Sequence, residues 1–287
     1  MGTSSMYNGP SGNPLLPDDF EDTSFPDSPE SDNPQESNEE TQNGNDESDN
    51  GDDGQENQQN SNNIDSSWST AKKNMSRYAS GTSNNYKRAV ATYVKAHGGA
   101  KRAAKSASSG IKSTASFGQF LINSSNQGIR ETLSQYKIDY EGRAAKDILN
   151  DVINRLAPVP VTKEDSVARK AIIRTMEVLY ERIDDENKDI STLDKIDKEL
   201  LNDMIPIQIE SYIYERIIND LGSRIETKSS SPADAISKEK ELKEYINSKV
   251  ETTLKGNDFS QIDFNGNVSK EVESLYNQCY KVMEDML

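Results

Sequence analysis

The sequence is poor in apolar side chains and in the residue types that most often carry out chemistry. Of its 287 residues, 32% are apolar, one is histidine, one is cysteine and one is tryptophan. Ordinary globular chains are about 45–50% apolar when glycine is included. The single cysteine, Cys279, excludes an internal disulfide and a cysteine-rich metal site. Because no run of eighteen apolar residues occurs, no transmembrane helix is expected.

Targeting signals are missing as well. The first residues carry neither the basic stretch nor the apolar stretch of a secretory signal peptide. A myristoylation signal would place Ser or Thr at position 6, where the chain has Met6. We therefore expect a cytoplasmic protein with no membrane segment.

The charged residues are concentrated in separate blocks along the chain, which its net charge of −16 does not show. Residues 1–17 carry no charged side chain, and residues 18–65 carry 17 acidic and no basic side chains. Residues 66–128 then carry ten basic and no acidic side chains, and residues 129–287 are net acidic. Opposed blocks of this kind indicate separate roles along the chain rather than a uniform surface.

The first two blocks are predicted to form a tail and a linker. In 18–65 the only large apolar side chains are Phe20, Phe25 and Ile64. Such a stretch cannot bury enough apolar surface to offset the entropy of ordering its backbone, so it is predicted to be a disordered acidic linker. Residues 1–17 are rich in Gly, Ser and Pro, which suits either a flexible tail or a recognition segment for a partner.

The basic block, 66–128, is predicted to form short helices. Residues 86–96 have apolar positions at helical spacing, and Gly98-Gly99 should end that helix. A second helix is expected over 100–108, closed by Gly110, and a third from 111 to about 122. These helices have few large side chains, so we expect them to pack either on the C-terminal domain or on a partner.

Residues 129–287 are predicted to form one all-helical domain. Apolar stripes recur at helical spacing, and no alternating run of β-branched residues competes with them. Val161-Thr162-Lys163-Glu164 and Ser231-Pro232 resemble helix starts. Pro206 is expected to break or kink one helix, and another should end near Gly222. The prediction is an all-α fold, with a bundle of five or six helices preceded by the short basic ones.

No arrangement of residues predicts catalysis. His97 has no acidic residue within thirty positions on either side, so it is interpreted as a helix-terminus residue rather than a general base. Cys279 lies on the apolar face of the last predicted helix, as a buried thiol would. Carboxylates such as Asp184-Asp185-Glu186 lack a spacing that brings their oxygens together. We predict an interaction protein with no catalytic residue, no metal site and no cofactor.

The basic block offers an alternative function, which is nucleic-acid binding. Its positive charges alternate with Tyr78, Tyr86 and Tyr93, and such a pattern suits phosphate contacts and base stacking. The competing interpretation is that the acidic block of the same chain, or an acidic partner, neutralises it. The candidate nucleic-acid-binding residues are Lys87, Arg88, Lys95, Lys101, Arg102, Lys105 and Lys112.

Two blocks of the sequence resemble the QatB family, a component of the four-protein Qat anti-phage defence system of bacteria. The first comprises Met1-Gly2-Thr3-Ser4-Ser5, Tyr7, Gly9-Pro10 and Pro14-Leu15-Leu16-Pro17. The second comprises residues 88–95, 98–104 and 113–120, which contain a basic helix, a Gly-Gly joint and an Ala/Arg-rich helix. Neither block is a catalytic signature.

The resemblance implies a role that depends on partners. The Qat system pairs QatB with an ATPase, a QueC-like enzyme and a TatD-like nuclease. QueC-like enzymes make 7-cyano-7-deazaguanine, and their defence relatives are associated with attaching a deazaguanine to a protein N-terminus. QatB-like proteins resemble the substrate of that reaction.

On this interpretation the N-terminal segment is where the QueC-like enzyme acts. Gly2 is the expected modification site once Met1 has been removed, and Gly9 is the alternative if the tail is trimmed first. The residues expected to bind the partner are Thr3, Ser4, Ser5, Tyr7, Pro10, Leu15 and Leu16.

Overall fold

The structure, a computed structural model, describes residues 55–182, 190, 196–262, 264 and 268–285, with side chains for 67–182, 190, 196–262, 264 and 270–285. These residues contain ten α-helices and no strand, so the all-α prediction is confirmed. Residues 1–17, and the predicted linker as far as residue 54, lie outside the described residues. The helices are α1 Gln55–Ala79, α2 Tyr86–Ala96, α3 Ala100–Lys105, α4 Ser108–Gln127, α5 Ile129–Gln135, α6 Ala145–Leu156, α7 Lys163–Glu181, α8 Lys198–Lys228, α9 Pro232–Leu254 and α10 Val268–Glu284, with a short 3-10 helix at Phe259–Gln261.

Several helices begin at a side chain that accepts a hydrogen bond from the first turn. Asn85 caps α2 by accepting from the backbone N–H of Arg88 at 2.9 Å. Thr162 caps α7, and Ser231 caps α9 with Pro232 in its first turn, as the sequence predicts. Each cap satisfies a backbone donor that has no partner within the helix.

Helix α1 begins at Gln55, within the stretch 18–65 whose composition predicts a linker. The C-terminal half of α1 is anchored by buried Ala71, Met75 and Tyr78, where it packs on α2 and α8. Once packing has fixed one part of a helix, each further residue costs little to add, so the helix extends back into polar sequence.

The short basic helices pack on the C-terminal domain. Helix α3 lies against α10, and α4 lies against α7, α8 and α10. Ala103 and Ala104 of α3 are fully buried, because their small side chains allow the helix to approach α10 closely. The sequence left open whether these helices pack on the C-terminal domain or on a partner. In the structure they pack on the C-terminal domain.

The helix ends predicted at Gly110 and Gly222 differ from the structure, and Pro206 does not break its helix. Gly110 lies inside α4, where a Cβ atom would stand 2.6 Å from the ring of Tyr212. Pro206 and Gly222 both lie inside α8, which continues from Lys198 to Lys228. Neighbours on several sides hold α8, and this packing outweighs the local preference for a break.

Helix α8 is central to the domain and carries the polar groups of the candidate site. It contacts α1, α4, α7 and α9, and Ile209, Ile213 and Ile217 are fully buried. None of the described helices is long and apolar enough to cross a membrane. Charged side chains lie between the apolar ones of α8, and two of them, Arg216 and Asp220, line a cleft.

Candidate functional site

The cleft opens where α1, the end of α2, the start of α7 and the second half of α8 meet. Its volume is about 390 Å³. Aromatic, cationic and anionic side chains share its wall, and its volume lies within the range of small-molecule sites. The lining residues are Trp68, Lys72, His97, Lys163, Glu164, Val167, Arg216, Asn219 and Asp220.

Asp220 is the centre of a hydrogen-bond network in the cleft. Its Oδ2 accepts from the Tyr93 hydroxyl at 2.9 Å, and its Oδ1 accepts from Lys163 Nζ and Asn219 Nδ2, each at 3.2 Å. Burial alone would raise the pKa of Asp220, but the polar contacts with His97, Tyr93 and Lys163 outweigh burial and lower the pKa to about 2. Asp220 is therefore an anion at neutral pH.

His97 lies at the C-terminal end of α2, as its sequence context predicts. Its ring packs against Tyr93 at 4.7 Å and Trp68 at 4.9 Å between ring centroids. The Nε2 atom lies 3.8 Å from Asp220 Oδ2, which is longer than a hydrogen bond, and it is buried with no hydrogen-bond partner among the described residues. Burial lowers the pKa of His97, with Arg216 adding to the effect and Asp220 opposing it, so the imidazole is neutral at pH 7.

Arg216 extends from α8 beneath the cleft and is 7% exposed. Its Nη1 donates to the Ala103 carbonyl at 2.8 Å and to the Tyr280 hydroxyl at 3.3 Å, and its Nη2 donates to Ser106 Oγ at 2.8 Å. The Ala103 carbonyl belongs to the last turn of α3, so Arg216 satisfies a helix end. Among the described residues, no carboxylate pairs with this guanidinium.

Glu164, in the first turn of α7, faces inward. Its Oε1 accepts from the Ser109 backbone N–H at 2.9 Å and from the Tyr212 hydroxyl at 3.0 Å. Within the described residues, no group of three or more His, Cys, Asp or Glu side chains could hold a metal ion. The two carboxylates of the cleft thus accept hydrogen bonds from other side chains of the protein. The rest of the lining includes basic and aromatic side chains.

Sequence reasoning missed this cleft, although α8 carried a signal. Glu210, Glu215, Arg216 and Asp220 interrupt the apolar stripe of α8 at positions that the structure buries or half-buries. Charged residues within an apolar stripe indicate buried ion pairs or a site. Their partners could not be inferred, because Asp220 meets Tyr93 and His97 only once α2 and α8 have both packed on α1.

A second, larger groove of about 800 Å³ lies between α8, α9 and the 3-10 helix. Glu210 lies at its wall and is 4% exposed, and its Oε1 has no hydrogen-bond partner among the described residues. Burial raises the pKa of Glu210 to about 7, although Lys243 and Arg174 oppose the shift. The neutral form of this carboxyl is therefore far more populated near neutral pH than that of an ordinary glutamate.

Cys279 is fully buried in α10, and burial raises the pKa of its thiol to about 12. A thiol that stays protonated at neutral pH is a poor nucleophile. The prediction that Cys279 is a buried thiol is confirmed.

The residues predicted from the basic block lie on α2, α3 and α4, outside the lining of the cleft. All seven side chains are exposed, and none pairs with a carboxylate of another described residue: Lys87, Arg88, Lys95, Lys101, Arg102, Lys105 and Lys112. The residues predicted for modification and partner binding lie outside the described residues, namely Gly2, Thr3, Ser4, Ser5, Tyr7, Gly9, Pro10, Leu15 and Leu16.

Comparison with known proteins adds one finding about family. A family model described as Qat anti-phage system associated protein QatB matches residues 98–283, which is more than half of the chain and runs from the start of α3 to the last turn of α10. No curated protein and no solved structure matches the chain.

Proposed function

The chain belongs to the QatB family of Qat anti-phage system associated proteins, and we propose that it acts there as the protein substrate of a QueC-like enzyme. In this proposal the enzyme recognises residues 1–17 and modifies the amine of Gly2, or that of Gly9 after trimming. The ATPase and the TatD-like nuclease of the same system are further proposed partners. The observation that carries the proposal is the family match, because it places the chain in a multi-protein system.

Charge and composition support a role for the N-terminal segment. Residues 1–17 carry no charged side chain, and the acidic block separates them in sequence from the helical domain. A modifying enzyme must take a terminus into its active site, and small uncharged residues make that possible at low steric cost. A charged linker repels itself and extends, which would give the segment the reach to enter an enzyme.

Intact-mass spectrometry of the full chain, co-expressed with the QueC-like protein, tests this proposal. We expect a mass increase that tandem spectrometry assigns to residues 1–17. Gly2→Leu should abolish the increase, because a bulky second residue hinders removal of Met1, whereas Gly9→Ala should leave it unchanged. Loss of the increase in Gly9→Ala alone would move the site to Gly9. An unmodified chain, or a modification outside residues 1–17, would refute the proposal.

The exposed basic side chains favour nucleic-acid binding as the second candidate function. Seven cations on α2, α3 and α4 have no carboxylate partner among the described residues, and such side chains are available to phosphates. Lys101, Arg102 and Lys105 all lie on the short helix α3, which makes them suitable for combined substitution.

A salt titration of DNA and RNA binding tests the second candidate. Reversing the charges of Lys101, Arg102 and Lys105 together should weaken binding and reduce the slope of log K against log salt by about 1 for each phosphate that is no longer bound. Lys146→Glu, at an exposed position on α6, is the matched control. Absence of binding at low salt would exclude this candidate and leave the first one standing.

A further inference from the structure

The cleft beside Trp68 contains a buried guanidinium, that of Arg216, with which no carboxylate of another described residue pairs, in a chain whose net charge is −16. Arg216 lines it together with Lys72, Lys163, Glu164 and Asp220, and Lys163 already pairs with Asp220. We propose that this cleft binds a mononucleotide through its phosphate group. This ligand is independent of any modification of the N-terminal segment.

Arg216 supplies the main argument for an anionic ligand. A guanidinium has five N–H donors, and this one makes three hydrogen bonds, all to neutral oxygens. Arginine is rarely buried to this extent without an anion, because removing its charge from water is costly. A phosphate in the cleft would supply the missing negative charge and accept from the remaining donors.

The anions of the cleft do not supply that charge. Asp220 accepts from Tyr93, Lys163 and Asn219, and Glu164 accepts from Ser109 and Tyr212. Neither forms an ion pair with Arg216 among the described residues. Both carboxylates are held by other donors, and they position Lys163 and Tyr212 rather than neutralise the guanidinium.

Trp68 makes the cleft suitable for a ring as well as a phosphate. Its indole packs edge-on against Tyr93 and His97 and is only partly buried, and its N–H makes no hydrogen bond to another described residue. His97 Nε2 is likewise without a hydrogen-bond partner in the described part of the chain. An aromatic base could pack on the indole, and 390 Å³ lies within the range of small-molecule sites.

The sole tryptophan of the chain lies in the cleft, so its fluorescence reports on this site alone. We expect sodium phosphate and AMP to change Trp68 fluorescence saturably at millimolar concentration or below, with matching heat in calorimetry. AMP should bind more tightly than phosphate, and adenosine, which lacks the phosphate, much more weakly. No saturable change in either measurement with phosphate and AMP would overturn the proposal.

Charge variants of the full chain locate the binding site. Lys163 is 68% exposed at its side chain, so Lys163→Glu should fold normally and weaken AMP binding by about tenfold or more. Arg216→Gln should weaken it similarly, with its fold verified by circular dichroism because Arg216 also caps α3. Lys112→Glu, exposed and outside the cleft, should bind AMP like the unsubstituted chain.

Two results with these variants would count against the cleft. If Lys163→Glu binds AMP as tightly as the unsubstituted chain, the phosphate is bound elsewhere. If Lys112→Glu loses as much affinity as Lys163→Glu, and a 5′-hydroxyl oligonucleotide binds better than AMP, the ligand is a nucleic-acid backbone on the exposed basic side chains. Either outcome refutes a mononucleotide site and leaves the proposed N-terminal modification untouched.

Discussion

The surroundings of Glu210 disfavour the ionised form of its side chain. The side chain is 4% exposed, it lies in the middle of α8, and its Oε1 has no hydrogen-bond partner among the described residues. A buried carboxylate without a partner is less stable than the neutral acid, and this difference raises the pKa of Glu210 to about 7. The stability of the domain should therefore depend on pH through this residue.

We expect Glu210→Gln to remove that dependence. The pKa of Glu210 in the folded chain lies above the usual glutamate value of 4.5. The contribution of protonated Glu210 to the folding stability is therefore fully present below about pH 4.5 and is lost as pH rises through about 7. The amide stays neutral, so at about pH 8 the variant should be more stable by on the order of 1–3 kcal/mol, with little gain at about pH 5.

Urea unfolding at both pH values measures this gain. Glu177→Gln, at an exposed position on α7, is the control and should change stability little at either pH. If Glu210→Gln gains as much at the lower pH as at the higher, protonation of Glu210 is not the cause.

Gly110 shows how one missing side chain sets the distance between two helices. Alanine is favoured over glycine within a helix by about 1 kcal/mol, but its Cβ would stand 2.6 Å from the buried ring of Tyr212. Overpacking of this kind costs about 1–3 kcal/mol, so Gly110→Ala should lower the melting temperature.

Gly222→Ala in α8 is the matched control for Gly110→Ala. The nearest atom to its added Cβ is a methyl of Ile218, one turn away on the same helix, at 3.1 Å. This contact can relax more readily than a buried ring, so the control should be neutral or stabilising. A melting temperature for Gly110→Ala at or above that of the unsubstituted chain would contradict the predicted clash.

At the scale of the single element, α7 has an N-terminus with reciprocal capping. The Thr162 hydroxyl accepts from the Asp165 backbone N–H at 3.0 Å, and Asp165 Oδ2 accepts from the Thr162 backbone N–H at 2.9 Å. Asp165 Oδ1 also accepts from the Ser109 hydroxyl of α4 at 2.7 Å. Hydrogen bonds from Ser109 and Thr162 lower the pKa of Asp165 to about 2, so their contribution to stability is present above pH 3.8 and is lost as pH falls toward 2.

Thr162→Ala should cost about 1 kcal/mol of unfolding free energy, because the N–H of Asp165 loses its acceptor. Thr162→Ser keeps a hydroxyl in the same place and should recover most of the loss. Urea unfolding at neutral pH compares the three chains. Equal stability of the alanine and serine variants would show that the hydroxyl does not cap α7.

At the scale of the whole molecule, periodicity predicted several of the helices but not how they associate. Apolar spacing and cap residues identified α2, α7, α9 and α10, because those signals lie within a few neighbouring residues. The unbroken α8 could not be predicted, since Pro206 is tolerated only through neighbours that are distant in sequence. The cleft escaped prediction for the same reason, because Trp68, His97 and Asp220 meet only after α1, α2 and α8 have packed.

The basic block and the C-terminal helices share one core. Phe117, Phe120 and Leu121 of α4 are fully buried, and α4 packs on α7 and α8. A fragment of residues 129–287 should therefore lack a cooperative thermal transition, because the apolar faces of α7, α8 and α10 would lie open to water. A fragment of residues 55–287 should retain that transition.

Circular dichroism during heating distinguishes the two fragments. The longer one should melt in a single sharp transition, and the shorter one in a broad, non-cooperative change. A sharp transition of residues 129–287 at the same temperature would show that the C-terminal helices fold independently.

The contact between α3 and α10 bears on how the protein is made. Glu284, in the last turn of α10, accepts a hydrogen bond from the backbone N–H of Ala100 at the start of α3, at 3.0 Å. On the ribosome, α3 emerges well before its partner helix α10, so this contact cannot form until α4 to α9 and α10 have been made. A message interrupted before α10 would therefore yield an unfolded product for proteolysis rather than a shortened working protein.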